Sequence, residues 1–220
     1  MFKRLNTGGE SLSAQEVRNA TIRLLDNRFN QFIIEMSRNE DFRYCITTVS
    51  DNQKNRKFDQ ELVLRFFAFK NNFGGYKHEV EEFLTEYMES VSDPADDSQK
   101  FDYESEQLIF EKTFRVLRTL ADAADVRTLV FGSVTQGSTE PRGQFSVYHF
   151  EGLTLGIQAV LDKIDLGNPG QLRSFAEVLK MGKADREFLR NTGAGKNDPN
   201  PLRERVNFFI EKFGEAKIEY

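Results

Sequence analysis

The chain has 220 residues with a formal net charge of −5, and 39% of its residues are hydrophobic against 30% charged, the balance of a globular domain with a sizeable core. The single cysteine, Cys45, rules out an internal disulfide and fits a reducing compartment. No run reaches the roughly 18 apolar residues that a membrane span needs, and the opening Met1-Phe2-Lys3-Arg4 lacks the apolar core of a signal peptide. A cytoplasmic protein with no membrane partner is therefore expected.

There are 21 Phe against 6 Tyr and no Trp. Phe buries a large apolar area without a polar group that needs a partner, so a Phe-built interior is the simplest reading. Charge is uneven along the chain. From Glu79 to Glu106 eleven acids face one base, Lys100, so this window carries −10 and the remainder +5. A solvated helix face followed by a loop accounts for it, and a surface for a basic partner is the functional alternative.

Phe2 and Leu5 share a helical face without a preceding cap, and Asn6-Thr7-Gly8-Gly9 stops that element. The expectation is that the chain opens inside a helix whose earlier portion is missing. Ser13-Ala14-Gln15-Glu16 is a capping box, flanked by Leu12 and Val17 at the staple positions, and predicts a helix from about Ala14 to Leu25. Helical spacing recurs at Phe29, Phe32, Ile33 and Met36. It recurs again at Leu62, Phe66, Phe69 and Phe73, then at Val80, Phe83, Leu84 and Tyr87. Leu108, Phe114, Leu117 and Leu120 predict a long helix from Tyr103 to Ala124.

A short strand is expected near 128–132, within a mainly looped stretch from Val126 to Gly143. A buried helix over Phe145–Ile164 and helices over Leu172–Met181, Ala184–Arg190 and Leu202–Phe213 complete the set. With no βαβ alternation and no repeat, the predicted fold is all-α, a multi-helix bundle forming one helical domain over 1–220.

Few motifs carry chemistry. Asn191-Thr192-Gly193-Ala194-Gly195-Lys196-Asn197 fails the phosphate-loop pattern at both ends, where Arg190 and Asn197 stand, and no strand precedes it. His78 and His149 lack the company that a metal or nuclease centre requires. Glu61 and Arg65 are spaced for an ordinary pair along one helix. Cys45 lies in an apolar stretch and reads as a small core residue. What remains is the amino-terminal cluster from Phe2 to Ala20. Its residues support either a turn with a cap or an anion site at a helix start, with Arg4 and Arg18 supplying guanidiniums. Neither arginine has an evident structural partner along a helix, so replacing both by Gln is expected to leave the melting temperature nearly unchanged.

The strings Phe2-Lys3-Arg4-Leu5-Asn6-Thr7-Gly8-Gly9 and Leu12-Ser13-Ala14-Gln15-Glu16-Val17-Arg18-Asn19-Ala20 together resemble a signature of the amino-terminal domain of GmrSD-type (type IV) modification-dependent restriction enzymes. Asp59 to Phe69, Tyr76, and Phe83-Leu84-Thr85-Glu86-Tyr87-Met88 are similar to the same family. The match is clearest over 1–91, with 92–220 as continuation of the helical part. The resemblance implies a ParB/sulfiredoxin-like α/β partner carrying an Asp-Gly-Gln-Gln-Arg motif for nucleotide handling. Many members also carry a His-Asn-His nuclease domain. This sequence has neither motif.

The implied function is the helical portion of a nucleotide-dependent restriction or anti-phage defence protein. No cofactor belongs to the isolated chain, and an NTP would be bound only with the partner. Arg4, Asn6, Gly8, Gly9, Gln15 and Arg18 are the candidate nucleotide or phosphate contacts. Arg186, Arg190, Lys196, Arg203 and Arg205 are candidate nucleic-acid contacts, with DNA the possible partner. No catalytic residue and no metal ligand is assigned. The alternative is a non-catalytic nucleic-acid-binding or protein-interaction module.

Overall fold

The computed structural model describes residues 11–77, 79–96, 100–135, 137–138 and 140–216. Over these residues the fold is all-α with one small hairpin. Helix α1 (Ala14–Thr21) starts at the expected capping box: Ser13 N donates to Glu16 Oε2 at 2.8 Å, and Glu16 N donates to Ser13 Oγ at 3.2 Å. It stops four residues before Leu25. Thr21 Oγ1 donates back to the carbonyls of Val17 and Arg18, and the chain tightens into one 3₁₀ turn over Ile22–Leu24. Leu12 and Val17 stay 57% and 42% exposed, so the staple positions do not reach the core.

Helices α2 (Arg28–Met36), α3 (Glu40–Cys45), α4 (Asp51–Asn55) and α5 (Phe58–Asn72) follow. Asn39 caps α3. A second capping box, Ser50 with Gln53, starts α4. α6 (Val80–Ser92) carries the acidic residues on its outer side, and its buried face is Phe83, Leu84, Tyr87 and Met88. α7 (Tyr103–Ala123) ends within a residue of its predicted limit. Helical spacing places Leu108 on its apolar stripe, yet it is 62% exposed. The buried row runs instead through Phe110, Phe114, Leu117, Leu120 and Ala121, and Leu108 falls off that 3.6-residue period.

The expected strand is displaced. Val130 and Phe131 are buried in the core, and the strand begins at the next residue. β1 (Gly132–Val134) pairs antiparallel with β2 (Pro141–Phe145), with Gly132 opposite Phe145. A side chain at Gly132 would collide with the Arg142 carbonyl at 2.4 Å, so glycine is what lets the two strands approach.

α8 (Val147–Gly156) is shorter than the single helix expected over Phe145–Ile164; it gives way to two 3₁₀ turns, Ile157–Ala159 and Leu161–Lys163. α9 (Pro169–Ala184) is longer than predicted at both ends. α10 (Arg186–Arg190) is separated from it by extended Asp185, whose side chain caps Glu187 N at 2.8 Å. α11 (Pro199–Glu215) opens on proline, which has no N–H to leave unsatisfied.

α5 is the axis of the molecule. Leu62, Val63, Leu64, Phe66, Phe67, Ala68 and Phe69 are all buried, so this helix is covered on every side rather than along one stripe. Phe67 meets Phe110 at 5.6 Å between ring centroids, Phe110 meets Phe114 at 4.5 Å, and Phe114 meets Phe150 at 6.2 Å. This aromatic chain joins α5, α7 and α8, as the Phe-rich composition implied. Cys45 is buried against it, and burial pushes its thiol well above the usual value; it is a core residue.

α8 and α11 pack most closely, and glycine makes this possible. Phe209 lies among Gly152, Gly156 and Gly182. A Cβ at Gly156 would meet Phe209 Cβ at 2.4 Å, and one at Gly182 would meet Phe209 Cε1 at 2.7 Å. Gly156→Ala is expected to destabilise the protein by about 1–3 kcal/mol through overpacking. Gly74→Ala, with open space around the site, should change stability by less than about 0.5 kcal/mol. Urea denaturation of the two variants measures the difference.

Candidate functional site

Arg4, Asn6, Gly8 and Gly9 lie outside the described residues, as does His78. Gln15 and Arg18 are described, and their placement corrects the expectation that Arg18 lacks a structural partner. Arg18 is 3% exposed. Its Nη1 donates to Gln15 Oε1 at 2.8 Å and to Glu61 Oε2 at 3.3 Å. Its Nε donates to Thr85 Oγ1 at 3.0 Å, and its Nη2 to the Glu81 carbonyl at 3.1 Å. The guanidinium is thus committed to α5 and α6. Burial lowers its pKa, with Glu61 opposing that effect. Gln15 is held in turn: its Nε2 donates to Asn19 Oδ1 at 2.9 Å, and Asn19 Nδ2 donates to Gln60 Oε1 at 2.7 Å.

Glu61 passes the network inward. Arg65 Nη2 lies 3.4 Å from Glu61 Oε1 and its Nη1 2.6 Å from Glu151 Oε1, while Arg205 Nη2 lies 2.6 Å from Glu151 Oε2. Glu151 is 3% exposed and Arg205 1% exposed. Burial disfavours the charge on Arg65, but the carboxylates of Glu151 and Glu61 outweigh it and raise its pKa. Glu61 and Arg65 are therefore more than a surface pair along one helix. They are the middle of a chain of three cations and two anions that runs from α1 through α5 and α8 to α11.

The sequence groups Arg205 with Arg186, Arg190, Lys196 and Arg203 as a candidate nucleic-acid contact. It points inward instead, because Glu151 holds it. Its Nη1 also donates to the carbonyls of Asn191 and Lys196, each at 2.7 Å, and its guanidinium carbon sits 4.9 Å from the Tyr148 ring centroid. Tyr148 Oη donates to the Gly193 carbonyl at 2.7 Å, and Tyr76 Oη donates to that of Asn197. Three buried or half-buried side chains thus shape the 191–197 loop from beneath. Gly193 and Gly195 take φ of 102° and 74° there, conformations open to glycine. Arg186, Arg190 and Arg203 are exposed and Lys196 is half-buried, but the five do not make one exposed basic face.

A second buried pair lies between α8 and α9. His149 Nδ1 is 2.8 Å from Ser146 Oγ, and its Nε2 is 3.3 Å from the Lys183 carbonyl. A carbonyl only accepts, so Nε2 carries the proton and Nδ1 accepts from Ser146. Burial lowers the His149 pKa to about 3, with Lys183 adding to the effect. Lys183 Nζ donates to the Leu129 carbonyl at 2.6 Å, and burial lowers its pKa to about 7.

The acidic outer side of α6 borders a groove of about 640 Å³. Leu24, 76% exposed, and Leu25, 48% exposed, form its apolar wall beside Glu86 and Glu89. Among the described residues no cluster of His, Cys, Asp or Glu could hold a metal ion, and no helix is long and apolar enough to cross a membrane.

The sequence reading missed Glu151 and Lys183. The signal for Glu151 was present, since it is the single carboxylate in the apolar run Phe150-Glu151-Gly152-Leu153-Thr154-Leu155. Nothing in sequence distinguishes Lys183 from its exposed neighbours on α9. Comparison with protein-family models, curated proteins and solved structures gives no match.

Two predictions follow from these buried charges. Glu151→Gln leaves Arg65 and Arg205 without their shared counter-charge and should cost about 3–5 kcal/mol in urea denaturation; a cost below 1 kcal/mol would mean that water already reaches the network. For pH, His149 has a folded-state pKa below its unfolded value, so the unfolded chain binds the extra proton between about 3 and 6.5. Stability should therefore fall as pH drops through that window. For Lys183 the corresponding window runs from about 7 to 10.5, and its contribution should improve as pH rises through it. Thermal melts of the protein and of His149→Gln across pH 4–7 test the first: the variant should show a shallower acid dependence.

Proposed function

We propose that this chain is the helical part of a GmrSD-like, nucleotide-dependent restriction or anti-phage defence protein, working with a ParB/sulfiredoxin-like α/β part that carries Asp-Gly-Gln-Gln-Arg. The observation that supports this reading is where the resembling strings meet. Arg18 comes from the first, Glu61 and Arg65 from the second and Thr85 from the third, and Arg18 bonds directly to Glu61 and Thr85. Residues that carry a family signature while building one buried junction act as a frame. In this reading Arg4, Asn6, Gly8 and Gly9, which lie outside the described residues, contribute to nucleotide binding together with the α/β part.

Gln15 and Arg18 then act as positioning residues, because their polar atoms are already engaged. DNA is the substrate of the assembled protein, and Arg186, Arg190, Lys196 and Arg203 are the described cations left to meet it. The chain by itself is not catalytic. It works in the cytoplasm, with the reduced thiol of Cys45 buried. A second reading, a protein-interaction module, draws on the groove where exposed Leu24 and Leu25 adjoin the acids of α6.

Co-expression with an α/β domain carrying Asp-Gly-Gln-Gln-Arg is the test. A stable complex that binds GTP or ATP more tightly than the chain alone, while the chain alone turns over neither nucleotide nor DNA, is the expected result. Hydrolysis by the pure chain that a point change within it abolishes would overturn the proposal, as would failure to associate.

A further inference from the structure

Independent of the family reading, a cleft of about 670 Å³ opens between the α2–α3 turn, α3, α4, the start of α5 and one turn of α7. Five cations line it: Arg38, Arg43, Lys54, Lys57 and Arg118. Only two carboxylates, Glu40 and Asp59, share the walls. In a chain of net charge −5, gathering five cations around one concavity works against their mutual repulsion.

Their pairing is equally informative. Arg118 is bonded to Asp41 at 2.8 Å and lies 4.6 Å over the Tyr44 ring, which places it firmly in the wall. Arg38, Arg43, Lys54 and Lys57 enter no ion pair among the described residues. Lys57 adopts the left-handed conformation, with φ 63° and ψ 26°, at the junction of α4 and α5. A non-glycine residue is strained there, and the junction of α4 and α5 holds it in that conformation. Asp59 Oδ1 is buried with no hydrogen-bond partner among the described residues, so it does not face the cleft.

We infer that this cleft binds a compact polyphosphate anion, either inorganic tripolyphosphate or the triphosphate chain of a nucleoside. The volume is that of a small-ligand site, and guanidinium and ammonium groups are the natural partners of phosphate oxygens. A nucleoside would further offer hydroxyl or amino donors to the carboxylates on the wall. A long polyanion is disfavoured by the acidic α6 and the overall negative charge.

Calorimetric titration of the protein with tripolyphosphate, with ATP and with a DNA duplex, all at low salt, tests this. Tripolyphosphate and ATP should both bind, and Arg43→Gln with Lys54→Gln should weaken both by at least about tenfold at an unchanged melting temperature. Equal affinities assign recognition to the phosphate chain, and tighter ATP binding adds the nucleoside. Lys57→Gly relieves the left-handed strain and removes a cation. It should raise the melting temperature by about 2–4 °C while weakening tripolyphosphate. The inference is overturned if neither triphosphate binds, if the variants bind as well as the parent, or if the duplex binds more tightly than tripolyphosphate and loses affinity with the same changes.

Discussion

A carboxylate in a protein interior is tolerated only when its charge is answered, and Glu151 is answered twice. Arg65 reaches it from α5 and Arg205 from α11, one on each oxygen and each at 2.6 Å. Much of the polar interior hangs from that point. Arg65 continues to Glu61 and so to Arg18, Gln15 and the start of α1. Arg205 continues to the carbonyls that shape the 191–197 loop. Such a network adds little net stability over an apolar filling of the same volume. Its effect is on arrangement: any slippage of α5, α8 or α11 leaves a bare charge in a low-dielectric interior, which costs several kcal/mol.

The apolar half of the fold was legible in the sequence because burial imposes a period. Phe29 to Met36, Phe83 to Tyr87 and Phe114 to Leu120 all lie where helical spacing puts them, and the Ser13–Glu16 box marked a real helix start. The all-α class followed from those periods. The failures have local causes. Leu108 was misplaced because one leucine near an apolar stripe is not distinguished by composition. α1 is shorter than its apolar period suggests because the last turn, Ile22–Leu24, tightens to 3₁₀, a change too small for a periodicity argument to register. The strand expected near 128–132 falls on Gly132–Val134 instead, because 127–129 form a 3₁₀ turn and Val130 and Phe131 fill the core.

The charged half was legible only in part. Glu61 and Arg65 announce a pair by spacing alone, but Glu151 lies 86 residues from Arg65 and Arg205 lies 54 residues from Glu151, and no local rule joins them. For the same reason Arg18 and Arg205 were read as outward ligand contacts. An arginine's five donors serve an anion or a set of buried acceptors equally well, and only the fold decides which. Cations outside any ion pair among the described residues remain around the cleft at Arg43 and Lys57, and at Arg186, Arg190 and Arg203. With the acids concentrated on α6, the molecule carries opposite charge on separate surfaces, a distribution that steers different partners to different sides.

The central claim is that Glu151 and Arg205 act as a coupled pair within one network rather than as two separately tolerated polar groups. A double-mutant cycle in urea, with Glu151→Gln, Arg205→Gln and the combined variant, measures that coupling directly. The account predicts an interaction energy of about 2–3 kcal/mol, with the double variant losing far less than the sum of the singles. Additive losses, agreeing within about 0.5 kcal/mol, would contradict it.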